Sequence, residues 1–151
     1  MKVSLDSNIL VYAIDTGDPD KHRIATDVIR SDLGFDCVLT TQALGEVLNV
    51  MRRLRPDHLY DVTAIVSTWI ELFPVISTTA DHMLAGADLA HRYRLQFWDS
   101  VILSASASAG ASILLSEDMQ DGQQVGGVRV VNPFVEGNLE ALAAIAATPS
   151  P

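Results

Sequence analysis

The chain has a single cysteine, Cys37, set in the apolar stretch Cys37-Val38-Leu39. That excludes a disulfide framework and a multi-cysteine metal cluster, and leaves a buried thiol suited to a reducing compartment. Basic residues are scarce, with 10 Lys and Arg against 19 Asp and Glu and a formal charge of -9. A protein that grips nucleic acid by counterion release needs a basic face, so any phosphate contact here must come from local clusters or from bound cations. Two clusters exist, Arg52-Arg53-Leu54-Arg55 and His91-Arg92-Tyr93-Arg94, and each also reads as a solvated helix end complementing the negative pole of the helix. No apolar run approaches the roughly 20 residues of a membrane span, and no signal-peptide apolar region precedes Asp6, so a soluble cytoplasmic protein is expected. Gly-x-Gly-x-x-Gly and Walker-type loops are absent, as is a Gly-x-Ser-x-Gly elbow, and His22, His58, His82 and His91 lack zinc-motif spacing. These absences argue against nucleotide cofactors, a serine hydrolase and a zinc site.

What is present is apolar. Across 151 residues, 48% are hydrophobic and only 19% charged, which suits one domain spanning 1–151 with a large core and apolar surface to spare for a partner. Val3–Leu5, Cys37–Leu39, Pro74–Ile76, Ser112–Leu115 and Val128–Val131 read as short buried strands. Helical spacing appears from Ser7 or Asn8, from about Lys21 to Asp32, after the cap Thr40-Thr41 up to Pro56, over Leu59–Leu72, from the cap Thr79 to about Arg94, over Trp98–Ala109, and from near Pro133. Turns are expected at Gly17-Asp18-Pro19-Asp20, Asp121-Gly122 and Gly126-Gly127, and a frayed tail at Thr148-Pro149-Ser150-Pro151. Strands alternating with helices predict an α/β fold with a doubly wound parallel sheet covered on both faces. The small residues of Ser104-Ala105-Ser106-Ala107-Ser108-Ala109-Gly110 would let a helix lie close on that sheet. The stretch Leu59–Leu72 carries Leu59, Val62, Ile65, Val66, Trp69, Ile70 and Leu72, more apolar surface than one inward stripe needs, so it is either internal or faces a partner.

Four acids fall where the strands of such a sheet end or its helices begin. Asp6 ends Val3-Ser4-Leu5 and could cap the following helix. Glu46 lies off the Leu44–Val47–Leu48–Met51 stripe, where an exposed helix glutamate is the default. Asp99 shares the inward stripe with Ile102, Leu103 and Ser106, where an unpaired carboxylate is costly and calls for a metal, a cation or a proton. Asp118 follows Ile113-Leu114-Leu115 across Ser116-Glu117, a place where a turn residue would also serve. In open α/β sheets the ligand crevice lies beyond the carboxyl ends of the strands, so these acids are expected to meet. Clustered carboxylates repel unless a hard cation neutralises them, and Mg²⁺ takes oxygen ligands while keeping waters that can act as nucleophiles.

Leu5-Asp6-Ser7-Asn8-Ile9-Leu10, the helix bearing Glu46, Phe97-Trp98-Asp99-Ser100-Val101-Ile102, and Leu114-Leu115-Ser116-Glu117-Asp118-Met119-Gln120-Asp121-Gly122, with Val130-Val131-Asn132-Pro133-Phe134 behind them, resemble the PIN-domain ribonucleases. The resemblance is to the VapC-type toxins of toxin–antitoxin pairs and runs from Met1 to about Phe134. It implies a PIN-like three-layer sandwich with a central parallel sheet flanked by helices, and metal-dependent hydrolysis of single-stranded RNA. By position it implies that Asp6 and Asp99 hold Mg²⁺ or Mn²⁺, with Asp118 and Glu46 completing the shell directly or through water. Ser7, Asn8 and Ser116 would support these acids, and Glu117 and Asp121 are spare acids able to join or substitute for Asp118. It also implies a homodimer and a cognate antitoxin. Two other readings stand beside it: a Mg²⁺-dependent phosphohydrolase using Asp6 as nucleophile, which lacks the second Asp because that position is Asn8, and a catalytically silent PIN domain acting as a binding module.

Overall fold

Strands as apolar as Val3-Ser4-Leu5 and Ile113-Leu114-Leu115 have almost no polar alternation, and so must be covered on both faces. The computed structural model describes residues 1–30 and 33–147 and places both at the middle of a six-stranded sheet. Along the chain come β1 (Lys2–Leu5), α1 (Ser7–Ile14), α2 (Pro19–Ile29), β2 (Asp36–Thr40), α3 (Thr41–Leu54), a 3-10 turn at Pro56–His58, and α4 (Leu59–Leu72). Then follow β3 (Val75–Ile76), α5 (Ala80–Tyr93), α6 (Phe97–Ser108), β4 (Ile113–Leu115), β5 (Gln124–Val125), β6 (Val128–Val131) and α7 (Asn138–Ala146). The sheet order is β3, β2, β1, β4, β6, β5, parallel except for the antiparallel β5–β6 edge. The fold is therefore α/β, a mostly parallel central sheet flanked by helices.

The chain winds outward from β1 to β2 and β3, then returns past it to β4 and β6. That reversal makes the β1–β4 seam the topological switch point, where crevices form beyond the carboxyl ends. Register fixes what meets there. Leu5 pairs with Leu115, and Leu115 with Val131, so Asp6, Ser116 and Asn132 leave the sheet at one level. The backbone confirms this alignment with Asp6 N donating to Leu115 O (3.0 Å) and Ser116 N to Val131 O (3.1 Å).

Helix α6 lies against β1 as its small residues suggest. Ser4 and Ser106 are fully buried and their hydroxyls are hydrogen-bonded at 2.8 Å, while the Ser106 hydroxyl also reaches Ile102 O (2.7 Å). Helix α5 packs along α6 even more closely. A Cβ on Gly86 would stand 2.7 Å from Val101 Cγ2 and 2.9 Å from its Cα, so only glycine allows the two helices this spacing.

Several sequence expectations need correction. Helix α2 begins at Pro19, because Asp18 caps it by accepting from Lys21 N (3.1 Å) and proline is tolerated in the first turn. It is described to Ile29; the expected extension to Asp32 and the tail 148–151 fall outside the described residues. The expected turn at Gly126-Gly127 is the two-residue loop of a hairpin, both glycines having positive φ, and its first strand was too short to show a pattern. Helix α7 starts at Asn138 rather than near Pro133, since Gly137 at φ 84° breaks the helical path before it. In α4, Trp69 belongs to the core together with Val62 and Val66, whereas Tyr60, Ile65, Ile70 and Leu72 stay exposed. Among the described residues no helix is long and apolar enough to cross a membrane.

The α5–α6 contact yields a stability prediction. Gly86→Ala should destabilise the fold by about 1–3 kcal/mol through overpacking against backbone. Gly45→Ala, whose Cβ meets nothing within 4 Å, should instead be neutral or stabilising by up to about 1 kcal/mol. Urea unfolding of both variants checks the contrast, and equal midpoints would remove the close-approach argument.

Candidate active site

Asp6 is at once the last residue before the crevice and the N-cap of α1. Its Oδ1 accepts from Ser7 N (2.7 Å), and its Oδ2 accepts from the Ser116 hydroxyl (2.7 Å) and from Asn8 Nδ2 (3.1 Å). The bonds from Ser116 and Ser7 favour the ionised carboxylate, yet burial outweighs them. Only 6% of Asp6 is exposed, and desolvation, assisted by the charges of Glu46 and Asp118, pushes its pKa up to about 6.

Asn8 ties the next acid to this one. Its Nδ2 also reaches Asp118 Oδ2 (3.0 Å) and Ser116 Oγ (3.3 Å), while its Oδ1 accepts from Glu117 N (3.4 Å). Ser116 Oγ in turn accepts from Asp118 N (3.2 Å). A neutral amide and a hydroxyl thus hold two carboxylates together without supplying any positive charge.

Glu46 is reached from two sides. The Ser7 hydroxyl donates to its Oε2 (2.7 Å), and Gln42 Nε2 donates to its Oε1 (3.0 Å) and to Trp98 O (2.9 Å). These bonds join α1 to α3 and α3 to the first turn of α6. Asp99 sits in that first turn, half-buried, with no hydrogen-bond donor to its carboxylate among the described residues. Its pKa is raised, first by burial and then by the charges of Asp118 and Glu46. The four acids therefore feel one another although they come from four separate elements. Glu46 is no ordinary exposed helix glutamate, and the helical wheel could not show this because its partner Ser7 is 39 positions away.

No ion pair engages Asp6, Glu46, Asp99 or Asp118 among the described residues. Nor do three acids, histidines or cysteines there stand close enough to enclose an ion as they are. The donor chemistry nonetheless fits a hard divalent cation: four carboxylates without histidine or cysteine, two of them with pKa raised by burial and then by the charges of their acidic neighbours.

The spare acids are occupied elsewhere. Glu117 accepts from the Tyr12 hydroxyl (2.6 Å) and pairs with Lys21 (2.5 Å), whose ammonium also lies over the Tyr12 and Phe134 rings. Asp121 accepts from Asn132 N (2.8 Å) and Asn138 Nδ2 (3.1 Å), pinning the approach to α7. Neither is free to substitute for Asp118 without giving up those partners. Sequence reasoning missed Gln42, Tyr12 and Lys21. Gln42 had a signal, its i,i+4 spacing to Glu46 on a helix; the other two act across tertiary contacts that no local spacing marks.

The family model for the PIN domain matches residues 3–120 of the chain. No curated protein sequence matches it. Among solved structures, the chain is similar to VapBC2 of Rickettsia felis bound to a DNA fragment from their promoter, with TM-score 0.62 and 13% identity, covering 86% of this chain and 97% of that one. It is similar to Mycobacterium tuberculosis VapC20, a sarcin-ricin loop cleaving toxin, with TM-score 0.62 and 18% identity over 84% and 98%. DNA-bound VapBC of Salmonella typhimurium gives TM-score 0.56 and 14% identity over 86% and 96%. At these identities the structural likeness is one of fold.

The raised carboxyl groups predict an unusual pH response. Asp6 has a folded pKa of about 6 against an ordinary 3.8, so between those values the folded state holds a proton that the unfolded chain has lost. Its contribution is full below pH 3.8, falls as pH rises through 6, and leaves the metal-free fold on the order of 3 kcal/mol weaker at neutral pH. Asp99 acts in the same direction. Metal-free Asp99→Asn should therefore melt above wild type at pH 7.5, with the gap closing toward pH 4, and millimolar Mg²⁺ should raise wild type more than the variant. Melting curves with and without chelator read this, and a variant less stable than wild type at pH 7.5 would show that Asp99 is a structural carboxylate.

Proposed function

The chain belongs to the PIN domain family, and from that premise we propose that it is an endoribonuclease of the VapC toxin type, hydrolysing phosphodiester bonds of single-stranded RNA with Mg²⁺ or Mn²⁺. The observation that carries the reading is the convergence of Asp6, Glu46, Asp99 and Asp118 toward the β1–β4 switch point, Asn8 linking Asp6 to Asp118 and Ser7 reaching Glu46, with no cation among the described residues paired to any of them. Acids gathered in this way cost stability and are of use chiefly to a ligand of opposite charge.

Asp6 and Asp99 are the acids proposed to hold the ion, with Asp118 and Glu46 completing its shell. A divalent cation bound there supplies a lowered pKa for water and stabilisation of charge on the phosphate. The protein's own groups do the positioning. Ser7 and Gln42 fix both oxygens of Glu46, while Ser116 and Asn8 set Asp6 Oδ2 and Asp118 relative to each other. Asp99, which accepts from no donor among the described residues, keeps its lone pairs for the cation. The sequence does not suit Asp6 as a covalent nucleophile: the position two residues on is Asn8, whose amide is far too weak an acid to protonate a leaving group.

A cognate antitoxin and a second copy of the chain are the proposed protein partners, and the cytoplasm the proposed compartment. What supports them is the apolar surface α4 leaves exposed on both sides of its buried stripe, Ile65 and Leu72 on one and Ile70 on the other, together with folds of the same kind in VapBC assemblies.

Two outcomes are expected. Single-stranded RNA should be cleaved with Mg²⁺ or Mn²⁺ and spared after exhaustive chelation, and Asp99→Asn should lose activity at least about a hundredfold with its circular dichroism unchanged. Cleavage that persists in chelator would sink the metal-dependent reading. Sedimentation at micromolar concentration should show a dimer weakened by Ile70→Glu, a position 52% exposed, whereas a strictly monomeric wild type would leave the exposed apolar side chains of α4 to the antitoxin alone.

A further inference from the structure

Beside the acids stands an aromatic pair that cation chemistry does not require. Phe97 and Trp98 open α6 immediately before Asp99, yet they are 39% and 53% exposed, with rings edge to face at 5.1 Å. An amphipathic helix ordinarily turns such residues inward. Trp98 instead borders an open depression of about 420 Å³ whose other walls, Thr41, Gln42, Gly45, Glu46 and Asn49, all belong to α3. The depression shares a wall with the acid cluster, because Gln42 Nε2 donates both to Glu46 Oε1 and to the carbonyl of Trp98.

The wall is also continuous with the chain's scarce positive charge. Gln42, Glu46, Asn49 and Arg53 succeed one another at helical spacing on one side of α3, and a rise of 1.5 Å per residue puts Arg53 about 10 Å beyond Glu46. Arg52 and Arg53 both hydrogen-bond Asn49, at its Oδ1 (3.3 Å) and its carbonyl (3.4 Å), which holds two exposed guanidinium groups at that end. Glu46 and the arginines thus lie along one track on α3, and Trp98 borders the depression beside its Glu46 end.

We propose that the depression between Trp98 and α3 is a subsite for one unpaired nucleobase of single-stranded RNA, stacked on the Trp98 indole beside the phosphate at the acids. The proposal rests on the ribonuclease reading. A chain of charge -9 gains little from general phosphate attraction, whereas stacking on an aromatic face supplies affinity that needs neither charge nor a particular base. It also selects for single strands, since a base in a duplex has both faces covered. Arg52 and Arg53 then meet the phosphate of the next nucleotide along the track.

The test uses the intact protein and a short oligoribonucleotide in chelator, where cleavage is suppressed. Trp69 is buried, so quenching of exposed indole emission reports Trp98. The oligonucleotide should quench saturably, and the same oligonucleotide made abasic should not. With Mg²⁺, Trp98→Ala should raise KM about tenfold and lower kcat much less, and Trp98→Phe should restore most of the loss. Unquenched emission, or Trp98→Ala cleaving with wild-type KM, overturns the subsite while leaving the nuclease in place. Saturable, base-dependent quenching by a wild type that cleaves no RNA supports the subsite and overturns the nuclease.

Discussion

The pairing of β1 with β4 is the constraint on which the rest depends. Ser4 opposite Leu114 and Leu5 opposite Leu115 bring Asp6 and Ser116 off the sheet in step, and the 2.7 Å bond between them follows from that register. A slip of one residue would turn every side chain of β1 to the other face and carry Asp6 away from Ser116. Leu5, Ile9, Leu10, Leu114 and Leu115 are essentially without exposure, so such a slip is opposed by the whole core beneath the site. Apolar packing is what compels charged groups to assemble here.

That compulsion is visible in the acids themselves. The hydrogen bonds from Ser116 and Ser7 to Asp6 would by themselves hold its pKa low, but burial prevails and raises it. A surface carboxylate would relax into solvent or toward the nearest lysine. Asp6 can do neither, fixed by strand register on one side and by its capping bond to α1 on the other. The protein does use a lysine nearby, but on Glu117: Lys21, Tyr12 and Glu117 form a clamp between α1, α2 and the turn after β4. One acid of the Ser116-Glu117-Asp118 turn is neutralised and serves as an anchor, and its neighbour Asp118 is left facing the others. The clamp places the loop without adding positive charge to the crevice.

How much could be read from the sequence depended on whether a residue's role was local. Strands and caps are local, and Asp6, Thr40 and Thr79 cap helices as their spacing suggests. Asp99 stood out because it interrupts an apolar stripe whose other members, Ile102, Leu103 and Ser106, are buried. Resemblance places Asp118 in the site with Glu117 and Asp121 as substitutes, and local sequence goes no further, since nearby acids in a turn differ only in what the rest of the fold offers them: for Glu117 Lys21 and Tyr12, for Asp118 Asn8, and for Asp121 Asn132 and Asn138. Trp69 and Ile70 present the same ambiguity in a helix apolar on most sides. The packing of α4 resolves it by burying the first and exposing the second.

Asn8 shows why the cluster needs a neutral hub. An aspartate at this position would add a fifth negative charge and remove the donor that spans Asp6 Oδ2 and Asp118 Oδ2. A lysine would neutralise the cluster permanently and compete with any incoming cation. The amide avoids both, orienting two carboxylates through dipoles while leaving their charge uncompensated. Its Oδ1 meanwhile accepts from the backbone of Glu117, so the same side chain links α1 to the turn that carries Asp118. Core burial thereby holds like charges near one another in one place, linked by a side chain that carries no charge of its own.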